Sequence, residues 1–312
     1  MIVVCGESLV DLVEVAASGP TPLLRMLPGG SPANAAVALA RLGQRVALAT
    51  RVGRDAGGAL VRRHLESSGI LDSFVVQVEE PTTLALVNLG PRGDAQYQFY
   101  FEATASWSWE LTDLPAALAS EVEALHIGSM ALVAPKGREA ITAWIRKVRS
   151  RRTVSLDPNV RTAVIRDLPE YRTALEGIIE ACHLVRVSEE DLRALYPDRV
   201  VEQVAADWAG RGPRLVVVSR GAEAPLAIFE HNVVVGPRRE VRVVDTVGAG
   251  DTFSAALLDH FSRAGLLRDQ LRGLDAPNLG RALEFASAAA SLTCERAGAD
   301  PPTAAEVAER LT

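Results

Sequence analysis

Short apolar runs recur along this chain, each closed by turn residues, and longer stretches of helical periodicity separate them. The runs are Ile2–Cys5, Val46–Thr50, Leu125–Ile127, Thr153–Leu156, Leu184–Val187 and Leu215–Ser219. Most show little polar alternation, which predicts parallel strands covered on both faces. Between them, Ala33–Leu42 predicts a helix, with Ser31 as its cap, Pro32 at its first position and Gly43 at its end. Ala56–Ser68 predicts another, between Asp55 and Gly69, and further helical patterns cover about 136–150, 169–181, 200–210, 251–264, 279–295 and 302–311. Such alternation predicts an α/β fold: a doubly wound, mostly parallel sheet flanked by helices.

One region breaks the rhythm. Phe74–Val78, Thr82–Leu89 and Gln96–Phe101 read as consecutive strands rich in β-branched and aromatic residues, with the turn Gly90-Pro91-Arg92-Gly93-Asp94 joining the last two. Val10–Val15 and Leu23–Leu27 add candidate strands. The pattern predicts a small antiparallel β lid, its strands within about 10–28 and 74–101, on a single α/β domain spanning 1–312. No linker, repeat or low-complexity segment argues for a second domain.

Composition narrows the function. Hydrophobic residues make up 48% of the 312, enough for a large core, and the net charge is -6 with no basic stripe, against a nucleic-acid partner. The cluster Arg146, Lys147, Arg149, Arg151 and Arg152 reads as a solvated helix face. Cys5, Cys182 and Cys294 have no metal-site or disulfide spacing and read as reduced thiols. The N-terminus lacks a signal-peptide pattern and no apolar segment reaches membrane-spanning length, so the expectation is a cytoplasmic protein with no membrane partner.

The chemistry gathers in Val243-Val244-Asp245-Thr246-Val247-Gly248-Ala249-Gly250-Asp251-Thr252-Phe253. A strand-like run enters a small-residue loop that opens a helix. Unobstructed N–H groups at the positive end of a helix make an anion hole suited to phosphate. A carboxylate there, Asp251, would repel phosphate unless it takes a proton from an attacking hydroxyl, and phosphoryl transfer needs those two parts. The residues alone leave open a plain alternative, in which Asp251 caps a helix and the glycines make a turn. The dinucleotide fingerprint fails, because Phe253 stands where its third glycine belongs, and no Walker-type GxxxxGK[ST] occurs.

This segment resembles the C-terminal signature of the ribokinase-like (PfkB) carbohydrate kinases. Gly29-Gly30-Ser31-Pro32-Ala33-Asn34 through Gly43 resembles the N-terminal signature, Asp157-Pro158-Asn159-Val160-Arg161 resembles a stretch of the fructokinase branch, and Arg296-Ala297-Gly298-Ala299 a family-like turn. The resemblance spans essentially the whole chain. It implies a ribokinase-like fold and an ATP-dependent kinase acting on a sugar hydroxyl. Asp251 would be the base, and Gly248, Ala249 and Gly250 the anion hole. Asp11, Gly29, Gly30, Asn34 and Arg161 would hold the sugar; Asn159, Ser188, Ser219 and Gly221, with Gly248 and Gly250, would serve ATP. Mg²⁺ would accompany the nucleotide, with Asp191 as an indirect contact, and K⁺ would have Asp245 and the carbonyl of Val247. The chain departs from the pattern at Ser188 and Asp191, where relatives carry Asn and Glu, and at Ala224, where a glycine is frequent.

Fructose is the first expectation for the acceptor; Phe101-Glu102-Ala103-Thr104-Ala105-Ser106-Trp107 also resembles bacterial fructokinases. The alternatives are 2-keto-3-deoxygluconate, another sugar, or a sugar-binding regulator without turnover. The apolar face of Thr82–Phe101 would suit a homodimer through the lid.

Overall fold

The computed structural model describes residues 1–15, 23–89 and 95–312. Its larger sheet has nine strands, built from β1 (Ile2–Cys5), β4 (Val46–Gly53), β5 (Val75–Val78), β8 (Ala124–Gly128), β9 (Thr153–Asp157), β10 (Leu184–Ser188), β11 (Leu215–Arg220), β12 (Glu223–Phe229) and β13 (Asn232–Val235). The order across the sheet is β13-β12-β11-β10-β9-β8-β1-β4-β5. All pairings are parallel except the hairpin β11-β12-β13 at one edge. All six apolar runs became strands of this sheet. In β1, Ile2 and Val4 face one core while Val3 and Cys5 face another, and all four are fully buried. Two-sided burial therefore accounts for the missing polar alternation.

The first core is closed by α1 (Ser31–Arg41), α2 (Ala56–Ser67), α7 (Ala249–Arg263), α8 (Ala276–Cys294) and α9 (Ala304–Leu311). The second is closed by α3 (Pro135–Val148), α4 (Leu168–Ile179), α5 (Glu189–Leu195) and α6 (Val201–Arg211). Asp55 caps α2 as expected, accepting the N–H of Gly58 at 2.8 Å. Ser31 does not cap α1. Gly30 occupies the cap position, and the Ser31 hydroxyl reaches another helix. The short α5 was not anticipated; Ser188 starts it with a capping box to Asp191.

A second sheet runs β3-β2-β6-β7, from β2 (Leu9–Val15), β3 (Leu23–Gly29), β6 (Leu84–Leu89) and β7 (Ala95–Tyr100). β2 pairs antiparallel with β3 and β6 with β7, and the two pairs meet along a parallel seam between β2 and β6. One expected lid strand lies elsewhere: Val75–Val78 pairs in parallel with β4 at the edge of the large sheet. Val243-Val244 also differs from expectation, since it lies in an exposed irregular segment, not a strand. The turn Gly90 to Asp94 lies outside the described residues. Among the described residues no helix is long and apolar enough to cross a membrane.

Candidate active site

The C-terminal ends of β1, β8, β9, β10 and β11 share one edge of the large sheet, where open α/β sheets carry their ligands. The small sheet leaves this edge after β1 and returns to α1 through Gly29 and Gly30. Gly30 has φ +106°, and a Cβ on Gly29 would stand 2.2 Å from Asp11 Oδ2. A bare backbone at Gly29 therefore leaves room for the Asp11 carboxylate. Burial raises the Asp11 carboxyl to about 6, and the charge of Arg161 pulls against that rise.

Helix α7 begins behind Gly248, which is left-handed at φ +76°. The N–H groups of Gly248, Gly250 and Asp251 have no acceptor among the described residues. That of Ala249 is taken by the carbonyl of Thr246 at 3.2 Å, so Ala249 adds no free donor to the expected set. Three unpaired N–H groups at the start of a fifteen-residue helix have the chemistry to receive an anion.

Asp251 is buried in the first turn of α7, but its carboxylate does not cap its own helix. Oδ1 accepts the Ser31 hydroxyl at 2.6 Å and Oδ2 accepts Asn34 Nδ2 at 3.0 Å, both from α1. That arrangement removes the plain capping alternative. Burial pushes the Asp251 carboxyl up to about 6, the Ser31 hydrogen bond opposes this, Asp157 adds to it, and Asn34 and Arg161 oppose it. Tyr97 of β7 feels the same groups: burial first, then the charge of Asp11, raises its hydroxyl to about 12, with Asp245 and Asp251 adding to the shift. Tyr97 of the small sheet therefore stands within electrostatic reach of these carboxylates.

Beneath the anion site lies a residue the sequence reading passed over. Arg186, buried in β10, donates to Asp157 Oδ2 at 2.8 Å and to the Ser219 hydroxyl. Ser254 of α7 donates to the same Asp157 oxygen at 2.8 Å. A Cβ on Gly250 would come within 2.8 Å of Arg186 Nη1, so this glycine lets the helix start sit directly on the guanidinium. The signal was available: an arginine inside the otherwise apolar Leu184–Val187 must be paired, because a buried cation is costly alone.

The remaining expected residues fall into three groups. Asn159, at φ +39°, donates its N–H to Asp157 Oδ1 at 3.2 Å, beside the half-buried Arg161. Ser188 and Asp191 cap α5, and the Asp191 oxygens also accept the N–H groups of Val160 at 3.0 Å and Ser188 at 3.4 Å. Gly221, at φ +55°, turns the chain between β11 and β12 with open space around its α-carbon. Asp245 links two loops, accepting the N–H of Val247 at 3.0 Å and that of Gly298 at 2.8 Å.

Glu7, just past β1, was also missed. Its carboxyl is fully buried, with Oε2 unpartnered, and burial raises it to about 7 against a Ser129 hydrogen bond. No group of three or more His, Cys, Asp or Glu among the described residues could enclose a metal ion. With no such cage, a Mg²⁺ ion would fit this cleft as a companion of nucleotide phosphates.

A family model described as pfkB family carbohydrate kinase matches residues 1–305. A fructokinase of Rhizobium leguminosarum bv. trifolii is 34% identical over 276 residues, covering 88% of this chain and 84% of its own length. Among solved structures, a fructokinase from Xylella fastidiosa with bound ATP superposes with a TM-score of 0.90 at 24% identity, over 99% of this chain and 98% of its own, and shows the fold. A double mutant of fructokinase from Vibrio cholerae O395, bound to fructose, ADP and potassium ion, has a TM-score of 0.87 at 27% identity, over 100% and 98% of the two chains.

Proposed function

This chain belongs to the pfkB family of carbohydrate kinases and is a sugar kinase, and on that premise we propose that it phosphorylates fructose with ATP to fructose 6-phosphate. The observation that carries the mechanism is the Asp251 carboxylate, buried at the start of α7 and held by Ser31 and Asn34 beside three unpaired N–H groups.

In this reading the sugar lies under the small sheet, against Asp11, Gly30 and Asn34, with Arg161 on the far side. Asp251 takes the proton of the primary hydroxyl as that oxygen attacks the γ-phosphorus of ATP in line. The free N–H groups of Gly248 and Gly250 face the charge that develops on the transferring group, where fixed dipoles act most strongly. Arg186 holds Asp157 and Ser219 in register beneath them and adds a buried positive charge. Mg²⁺, when bound with the nucleotide, supplies charge neutralisation on the phosphates. K⁺ would sit between the two loops that Asp245 ties together, a reading supported by the potassium form of the Vibrio relative. The reading places the reaction in the cytoplasm, consistent with the free thiols Cys5, Cys182 and Cys294. It includes a homodimer through the small sheet, whose Leu23, Leu24, Met26 and Tyr100 expose apolar side chains.

The test is a coupled ADP-release assay with Mg-ATP against fructose, 2-keto-3-deoxygluconate, ribose, glucose, tagatose and adenosine, on the wild type and Asp251→Asn. Saturable turnover on fructose is expected, lowered by about 10²–10⁴-fold or more in the variant. A higher kcat/KM on another sugar would replace fructose. Unchanged turnover in the variant would remove Asp251 as the base.

A further inference from the structure

The edge of the large sheet opposite the candidate active site carries a basic cavity of about 570 Å³. It lies where the chain enters β10 and β11, one residue before Leu184 and one before Leu215. The five-residue β10, at about 3.3 Å per residue, puts it roughly 16 Å from the catalytic edge. Its wall carries Arg149, Arg214 and Arg272, with Ser150, Gln270 and the buried His183, and no Asp or Glu.

Three guanidinium groups in one concavity are unusual in a chain of net charge -6. Arg149 and Arg214 form no ion pair among the described residues, and the contact of Arg272 with Asp269 is long, at 3.7 Å between exposed side chains. Among the described residues, Arg149 Nη2 donates to the Glu180 carbonyl at 3.3 Å and Arg272 Nη2 to Gln270 Oε1 at 2.7 Å, which leaves most of the guanidinium donors open. Arg149 is exposed, as a solvated helix face predicts, and the fold sets it beside two cations from other segments.

The floor is built. Gln270 is buried and left-handed at φ +57°, and Leu271 follows at φ +60°. Consecutive non-glycine residues in that region persist only where the surroundings impose them, and such conformations cluster at binding sites. Here Gln270 is clamped: Nε2 donates to the Arg149 carbonyl at 3.0 Å, and Oε1 accepts Arg272 Nη2 at 2.7 Å. It thereby joins the segments that supply two of the three cations. His183 Nδ1 accepts the N–H of Val154 at 3.0 Å, which leaves the ring proton on Nε2 as a further donor. Burial, then the charges of Arg149, Arg214 and Arg272, lower this imidazole to about 4, so it is neutral at physiological pH and all three cations act on it.

We propose that this cavity is a second anion site, distinct from the catalytic one, that binds a small phosphorylated metabolite. Its volume suits a ligand of that size. Guanidinium forks match phosphate oxygens in pairs, and three of them balance a dianion better than a monoanion.

The test is calorimetric titration of pyrophosphate and of glycerol 3-phosphate into the full chain, any binding at the catalytic anion site being the part that survives unchanged in the double serine variant. Binding is expected with a Kd below about 1 mM, weakened about tenfold or more in Arg149→Ser/Arg214→Ser and partly restored in Arg149→Lys/Arg214→Lys. Arg149 and Arg214 are both exposed, and an unchanged melting temperature without ligand confirms that the variants fold. Absence of binding by the wild type, equal affinity in the serine variant, or citrate binding as tightly as either phosphate compound would overturn the proposal. None of these outcomes depends on the identity of the sugar acceptor.

Discussion

Removing the hydroxyl of Ser31 tests whether α1 tunes Asp251, the proposed base on α7. The Ser31 hydroxyl donates to Asp251 Oδ1 at 2.6 Å in a partly buried setting. That bond stabilises the carboxylate and not the carboxylic acid, so it holds down a carboxyl that burial still leaves at about 6. A hydrogen bond to a charged group contributes about 1.5–3 kcal/mol, and each 1.36 kcal/mol corresponds to about one pH unit of titration. Ser31→Ala should therefore move the titration of Asp251 up by about one to two pH units. A base must be ionised to act, so kcat/KM rises with pH through the free-enzyme value and levels off above it. The acid limb for the sugar should lie near pH 6 in the wild type and near pH 7–8 in Ser31→Ala, by the arithmetic above. At pH 6 the variant should retain roughly a fifth of the wild-type kcat/KM or less, and above pH 9 the two should converge. The assay is initial-rate kinetics between pH 5 and pH 9.5 at saturating Mg-ATP, with the coupling enzymes in excess throughout. A uniform loss at every pH with the limb unmoved would mean that Ser31 only positions Asp251. A limb displaced downward would refute the electrostatic argument itself.

The same carboxyl carries a stability cost. Its folded value, about 6, lies above the ordinary 3.8, so the folded state binds more protons between those values and loses stability as pH rises through 6. Asp251→Asn should therefore unfold at a higher temperature than the wild type at pH 8, by up to about 3 kcal/mol, with the difference shrinking towards pH 4. Equal melting temperatures at both pH values would contradict this. Arg186→Lys should weaken the core beneath the anion site, because an ammonium cannot reproduce a fork that reaches both Asp157 and Ser219. The loss of one charge-assisted bond, about 1.5–3 kcal/mol, should appear as a lower midpoint in urea denaturation together with a raised KM for ATP; an unchanged midpoint would show that the lysine keeps both contacts.

Local sequence was enough to specify much of this molecule. The six apolar runs became parallel strands because residues buried on both faces need no polar alternation, and that signature survives in the chain as written. Asp55 before Ala56–Ser67 capped its helix as its chemistry demands. The small residues from Gly248 to Gly250 opened a helix with free N–H groups, since a loop without bulky side chains can do so wherever it is placed. Where contacts lie far apart along the chain, the same reasoning gave out. Val75–Val78 has a strand pattern that either sheet could accept, and only its neighbour β4 decided the matter. Ser31 had the chemistry of a helix cap, yet its hydroxyl was drawn to a carboxylate 220 residues away once α1 packed on α7. Arg186 was legible as an anomaly in an apolar run, but its partners Asp157 and Ser219 come from the flanking strands. Arg149, Arg214 and Arg272 look like scattered surface charges until three chain segments converge at the N-terminal edge of the sheet. Periodicity and turn chemistry act over a few residues and are written in the sequence by itself. Charge pairing, proton affinity and cavity shape are sums over groups brought together by packing, and only the tertiary structure determined them.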